Sequence, residues 1–243
     1  MHRIGTYKYY FNVADVISSI SKGEIQVPEF MSNEFYWGEE KILNLLDCFY
    51  FGIYRTNILV IDSGTRFERL QNGPFKYVPD LIIPSRRLSR EISKTSIKFP
   101  DGKPGPKYGG IYYIIDGFHR LQSLYLAWYG LFNGKQLYFK ISAINETRFS
   151  FLKPANRDSM HARLSTVKNI SIPDMPLLDQ VNDNCHQFKQ MFFESDRISF
   201  DIIDIDDPLL DQVFLATLDK NPDMKIVADR IRFIRENYII PKA

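Results

Sequence analysis

Cysteine is scarce in this chain. Cys48 and Cys185 are the two that occur, and their separation fits neither a metal site nor a redox pair. That excludes a disulfide framework and points to an intracellular protein with free thiols. Long apolar runs are missing as well. None approaches the roughly 18 residues that read as a spanning helix, so no membrane is expected as a partner. The opening Met1-His2-Arg3-Ile4-Gly5-Thr6 has no signal-peptide pattern, and a soluble, cytoplasmic protein is the expectation. Nor is one sign of charge in excess. With 31 basic and 29 acidic residues the formal charge is +2, so any DNA contact has to come from a local patch. The 4 histidines, His2, His119, His161 and His186, form no His-Asn-His pattern, so cutting of nucleic acid by that chemistry needs another chain. His161 and His186 lack metal spacing and read as surface or packed side chains.

What the chain does have is apolar material. Hydrophobic residues make up 44% and aromatics 14% of 243 residues, enough for a sizeable core in one large domain or in a core with an extension. Periodicity locates the elements. A helix is predicted over Val13 to Lys22, with Asn12 as its cap and Gly23 as its stop. A short strand follows over Ile25 to Val27. Ile42, Leu45, Leu46 and Phe49 recur at i, i+3, i+4, i+7 and predict a second helix that ends at Gly52. Asn57 to Asp62 reads as a buried strand. Ile111 to Ile115, all apolar, predicts a strand in the middle of its sheet. The helix after it runs from Phe118 to Tyr129, presents Leu121, Leu124, Tyr125 and Trp128 on one face, and is closed by Gly130. Leu137 to Ile141 and Arg148 to Leu152 read as strands. From about Ile172 the pattern turns helical, with Leu177, Val181, Cys185, Phe188 and Phe192 on one face. Ile198 to Ile205 adds a strand, and helices are predicted over Pro208 to Lys220 and Pro222 to Tyr238. The fold class is α+β: a mixed sheet with flanking helices over residues 1–170, then a mostly helical extension over 171–243.

Residues 63–110 break this rhythm and read as a surface insertion. Within Ser85 to Lys107, Arg86, Arg87, Arg90, Lys94, Lys98, Lys103 and Lys107 face only Glu91 and Asp101. Such a segment is either a solvated loop or a patch for DNA phosphates centred on Arg86, Arg87 and Arg90.

The chemistry concentrates in Asp116-Gly117-Phe118-His119-Arg120, where a strand passes into a helix. Gly117 permits the sharp turn. The free N–H groups of the new helix favour an anion. Arg120 offers planar donors to phosphate oxygens and His119 a ring N–H. Asp116 can orient the arginine, cap the helix or hold a divalent cation. The plainer alternative makes Asp116 a cap and Arg120 a surface ion-pair partner. If the loop is functional, Gly117 should lie at the mouth of the largest polar cleft. Gly130 to Gln136 superficially suggests a phosphate-binding P-loop, but it is one residue short and has Gln136 where Ser or Thr would hold magnesium.

The run Tyr113-Ile114-Ile115-Asp116-Gly117-Phe118-His119-Arg120-Leu121-Gln122-Ser123-Leu124 resembles the Asp-Gly-Gln-Gln-Arg-Leu-Thr-Thr-Leu signature of GmrSD-type restriction proteins. Its His-Arg ending resembles the Asp-Gly-Gln-His-Arg variant of proteins linked to DNA phosphorothioation. Upstream, Val27-Pro28-Glu29-Phe30, then Trp37, then Leu45-Leu46-Asp47 resemble that family's opening motifs. Gly52 to Val60 and Leu164-Ser165 add shorter matches. The likeness covers about residues 13–60 and 111–167 and, more faintly, 177–219. It implies a ParB/sulfiredoxin-like fold and a nucleotide-binding, often nucleotide-hydrolysing module of defence against modified or foreign DNA. A nucleoside triphosphate with a divalent metal such as magnesium is the implied cofactor, and a separate nuclease subunit and DNA are implied partners. Carried over by position, Asp116, His119 and Arg120 are the catalytic candidates. Gly117, Phe118, His119, Arg120, Pro28 and Phe30 are the nucleotide-binding candidates, and Asp116 is the metal candidate. The chain also departs from the family. Met31-Ser32 stands where the family has Gln-Arg, and Leu215 to Asp219 ends in aspartate where the family has asparagine. A sulfiredoxin would need cysteine where Phe118 stands. These departures leave two readings: an active hydrolase, or a weakened site that binds nucleotide or DNA as a sensor or partner subunit.

Overall fold

The structure is a computed structural model, which describes residues 7–22, 24–28, 37–62, 75–77, 97–98, 112–144, 146–169 and 179–203, together with 227, 229, 231 and 232. Strand β1 (Tyr7–Phe11) turns at once into helix α1 (Val13–Lys22). Asn12 starts that helix as expected. Its Oδ1 accepts the Asp15 backbone N–H at 2.8 Å, and its Nδ2 donates to the Asp15 carboxylate at 2.8 Å. The pair satisfies donors that a helix start otherwise leaves open.

The chain continues through β2 (Ile25–Pro28), α2 (Glu39–Tyr50), β3 (Thr56–Asp62), β4 (Phe75–Tyr77), β5 (Ile97–Lys98), β6 (Tyr112–Asp116) and α3 (Phe118–Tyr129). It ends its described course with β7 (Leu131–Phe132), β8 (Gln136–Lys140), β9 (Phe149–Leu152), β10 (His161–Arg163), α4 (Asp179–Lys189) and β11 (Ile198–Ile202). The main sheet has six strands in the order β1-β11-β3-β6-β2-β4. Its β11–β3 and β2–β6 pairs are parallel and the others antiparallel, so the fold is α+β on a mixed sheet. β6 is interior, flanked by β3 and β2, as its apolar run demands.

Alternation divides the faces of this sheet. Ile58, Val60, Ile114, Ile198, Phe200 and Ile202 are buried with the helices in one hydrophobic cluster. The residues between them put Lys8, Tyr10, Asn57, Leu59, Ser199 and Asp201 on the other face. A second sheet, β10-β8-β9, packs under α2, α3 and α4. The aromatic surplus fills the space between them. Phe188 stacks on Phe192 with centroids 4.4 Å apart, and Phe139 lies 4.8 Å from Phe188 and 5.4 Å from Phe149. Cys185 is buried in the same cluster, which pushes its thiol above the usual range. Both cysteines are free.

Three differences from the sequence-based picture have physical causes. β1 is an edge strand whose Tyr9 and Tyr10 are about half exposed, so it lacks an alternating apolar signal. The segment expected as a surface insertion supplies β4, which pairs with β2, and β5, which pairs with β7. Residues 179–203, expected within a mostly helical extension, place β11 between β1 and β3 and put Val181, Cys185, Phe188 and Phe192 into the shared cluster. Gly130 closes α3 as expected, with extended backbone. Contact explains the glycine: a Cβ there would come within 2.4 Å of Leu126 Cδ1. The P-loop lookalike is a tight hairpin. Asn133 and Gly134 both have positive φ, at 53° and 74°, as a type I′ turn requires, and Lys135 Nζ pairs with Glu39 at 2.9 Å. Leu177 and most of the two predicted terminal helices lie outside the described residues, although 227, 229, 231 and 232 are helical. No helix among the described residues is long and apolar enough to cross a membrane.

Candidate functional site

The β6–α3 junction is shaped by a bulge. Against β3, Ile114 lies opposite Val60 and Asp116 opposite Leu59, which leaves Ile115 as the extra residue. Strict alternation would have put Asp116 on the same face as Ile114, among the helices. The inserted residue switches it to the Leu59 face, and its side chain is 55% exposed while Ile115 is fully buried. Gly117 then turns the chain at φ 89°. A Cβ at this point would lie 2.6 Å from Ile58 Cδ1 and 3.4 Å from the Asn57 carbonyl oxygen. Glycine is therefore required by both dihedral and space.

No side chain caps α3. The Gly117 carbonyl accepts from the N–H groups of Arg120 at 3.1 Å and Leu121 at 3.3 Å. Asp116 is thus not a cap; of its three possible roles, the geometry favours orienting the arginine. Arg120 Nη2 lies 3.7 Å from its Oδ2. The firmer grip comes from β3 and the residues leading into it. Arg120 Nη1 donates to Thr56 Oγ1 at 2.7 Å and to Tyr54 Oη at 3.4 Å. Thr56 is fully buried, and the arginine side chain retains 23% exposure. The guanidinium is held along one edge while part of it still reaches solvent.

His119 sits in an aromatic sandwich. Its ring lies 4.0 Å from Phe118 and 6.5 Å from Trp37, nearly parallel to the indole, over which Lys41 Nζ sits at 4.6 Å. Phe118 itself is 5% exposed and packs in the core. Its side chain does not face a ligand, which leaves its backbone N–H as the contact it can offer. Pro28 ends β2, which runs parallel to β6, so Pro28 and Asp116 lie at the same edge of the sheet on neighbouring strands. Phe30, Met31, Ser32, Arg86, Arg87, Arg90 and Leu215–Asp219 lie outside the described residues. A cavity of about 180 Å³, lined by Lys8, Tyr10, Arg55, Asn57, Arg197 and Ser199, opens where Asn57 abuts Gly117. Residues 116–120 line neither this cavity nor a larger one around β10.

Among the described residues no group of three or more His, Cys, Asp or Glu side chains converges anywhere. The charged neighbour of Asp116 is a guanidinium, which competes with a metal for the carboxylate. An anion suits the site better, since the uncapped start of α3 and Arg120 both favour negative charge. Sequence reasoning singled out Arg120 but missed Tyr54, Thr56 and Lys41, because nothing in their local sequence ties them to a helix more than 60 residues away. No family model matches the chain, and no curated protein matches it significantly.

Proposed function

We propose that this chain is a nucleotide-binding module on a ParB/sulfiredoxin-like scaffold, with the nucleotide phosphates held by the 116–120 loop. We further propose that it serves a DNA-modification-dependent or phage-defence restriction system in which a separate nuclease subunit cuts. The observation that carries this reading is the shared edge of β2 and β6. These adjacent parallel strands end at the same side of the sheet, Pro28 on β2 and Asp116 on β6, and β6 leads straight into the helix start that carries Gly117 and the tethered Arg120. Ligands of open sheets gather outside the carboxyl ends of parallel strands, where helix starts supply N–H donors. In this reading the N–H groups of Phe118 and His119 and the free edge of Arg120 hold phosphate oxygens.

Binding without hydrolysis is the form favoured by one further observation. Asp116 faces Arg120, and among the described residues no cluster of carboxylates joins it to seat a metal for a hydrolytic step. The test is titration of ATP, GTP, CTP and UTP, with turnover measured in magnesium, on the parent and four variants. Arg120→Ala removes a charge-assisted bond of roughly 1.5–3 kcal/mol and is expected to weaken nucleotide binding about ten- to hundredfold. It also strands the buried Thr56 hydroxyl, so its melting temperature should fall. Arg120→Lys keeps a donor for Thr56 but loses the planar fork and should restore stability more than affinity. Asp116→Asn should leave folding and binding nearly intact. His119→Ala should cost less affinity than Arg120→Ala. A folded Arg120→Ala that binds every nucleotide as the parent does would refute the proposal. Nucleotide turnover that disappears in Asp116→Asn would instead establish the hydrolase.

A further inference from the structure

A cavity of about 460 Å³ opens around β10 and the turns that flank it, lined among others by Arg157, Asp158, Ser159, His161, Arg163 and Thr166. It shares no residue with the 116–120 loop. Its polar groups are ordered from within. Asp158 folds the approach to β10 by accepting the Met160 N–H at 2.8 Å, and the same oxygen lies 2.6 Å from His161 Nδ1. Since a carboxylate only accepts, Nδ1 carries the proton of that bond. His161 Nε2 has no partner among the described residues. The bond from His161 is the main reason the Asp158 carboxyl lies below its usual range, so it is ionised at neutral pH and committed to the imidazole.

The remaining charge is uncompensated and positive. Arg157 and Arg163 are exposed, and neither has a carboxylate partner among the described residues. Lys140, opposite His161 across the β10–β8 ladder, is already paired with Glu146 at 2.9 Å. Thr166 donates its hydroxyl to the Arg163 carbonyl, which fixes the turn behind the guanidinium, and Ser159 adds another hydroxyl to the lining. Two unpaired guanidinium forks, an oriented imidazole and hydroxyl groups around one concavity suit a tetrahedral oxyanion carrying more than one charge.

We propose that this cavity is a second phosphate site, formed by Arg157, His161 and Arg163, which takes a phosphate group from a nucleotide or from a nucleic-acid strand. The two sources share one chemistry, and the experiment separates them. The His161 ring resonance of the full chain is followed by NMR during titration with sodium pyrophosphate, and then with an eight-base single strand with and without a 5′ phosphate. The resonance should shift and saturate with pyrophosphate in both the parent and Arg120→Lys, which separates this site from the loop. Replacing both arginines, Arg157→Gln with Arg163→Gln, should weaken that binding by about tenfold or more without moving the melting temperature, because both side chains are exposed. A response only to the 5′-phosphorylated strand identifies a terminal phosphate. An equal response to both strands identifies the backbone, and that binding should fall steeply with salt. The proposal fails if the His161 resonance of the parent stays fixed up to roughly 10 mM pyrophosphate, which is weaker than the millimolar floor of specific affinity. It fails equally if the double variant responds as the parent does.

Discussion

Gly117 carries two constraints at one position. Its φ of 89° is open to few L-residues, and the space where a side chain would begin is taken by Ile58. We predict that Gly117→Ala costs roughly 2–4 kcal/mol, adding left-handed backbone strain to overpacking. Urea denaturation measures it, and a loss below about 0.5 kcal/mol, the scatter of ordinary surface changes, would mean that the turn is not as tight as described. The sequence makes this glycine legible because an apolar strand runs straight into a helical pattern across it. The partners of Arg120 are not legible. Thr56 lies 64 residues away in sequence, and a threonine at a strand start has no local mark that predicts an arginine above it. The bulge at Ile115 is also hidden, because an all-apolar strand reads the same with or without an extra residue.

At the scale of elements, helices were the readable part. α1, α2 and α3 follow from 3.6-residue periodicity together with Asn12, Gly52 and Gly117 as punctuation. The short strands were not readable, since β4, β5 and β7 have three residues or fewer and take their identity from a partner. Two buried amides on the helices make a contrast that the sequence does not reveal. Asn184 on α4 is fully used: its Nδ2 donates to the carbonyls of Ile141 at 2.8 Å and Ala143 at 3.0 Å, while its Oδ1 accepts from Tyr50 Oη and Gln180 Nε2, each at 3.1 Å. Gln122 on α3 is completely buried, and neither amide atom has a partner among the described residues. The same kind of group should therefore act in opposite directions. Asn184→Ala is predicted to destabilise by roughly 2–4 kcal/mol, because it strands several buried groups and leaves a void. Gln122→Met, close in volume and apolar, is predicted to stabilise by about 1–2 kcal/mol. Paired thermal melts decide it, and a loss of stability in Gln122→Met would show that the amide is satisfied in solution.

For the whole molecule, the strand order outweighs any boundary drawn along the sequence. β11 forms ladders with β1 on one side and β3 on the other, and α4 contributes Phe188 to the aromatic centre. A fragment of residues 1–170, the core expected from composition and periodicity, lacks both. We predict that this fragment does not fold cooperatively, whereas the full chain gives a sigmoidal melt. Dispersed NMR signals from the fragment would overturn that prediction. Sheet order escaped the sequence because pairing between residues as distant as 11 and 198 is set by the fit of whole elements rather than by a local motif.

This arrangement has a consequence in time. During synthesis β3 emerges early, but the neighbour that completes it on one side is made only after the chain has lengthened to residue 202. At about 5–20 residues per second, that edge waits roughly 7–28 s with its hydrogen-bonding groups unpaired and with Ile58 and Val60 short of cover. Until then the growing chain carries an open strand edge, the feature that leaves incomplete chains prone to association, and the stretch that closes it is the last described strand to leave the ribosome.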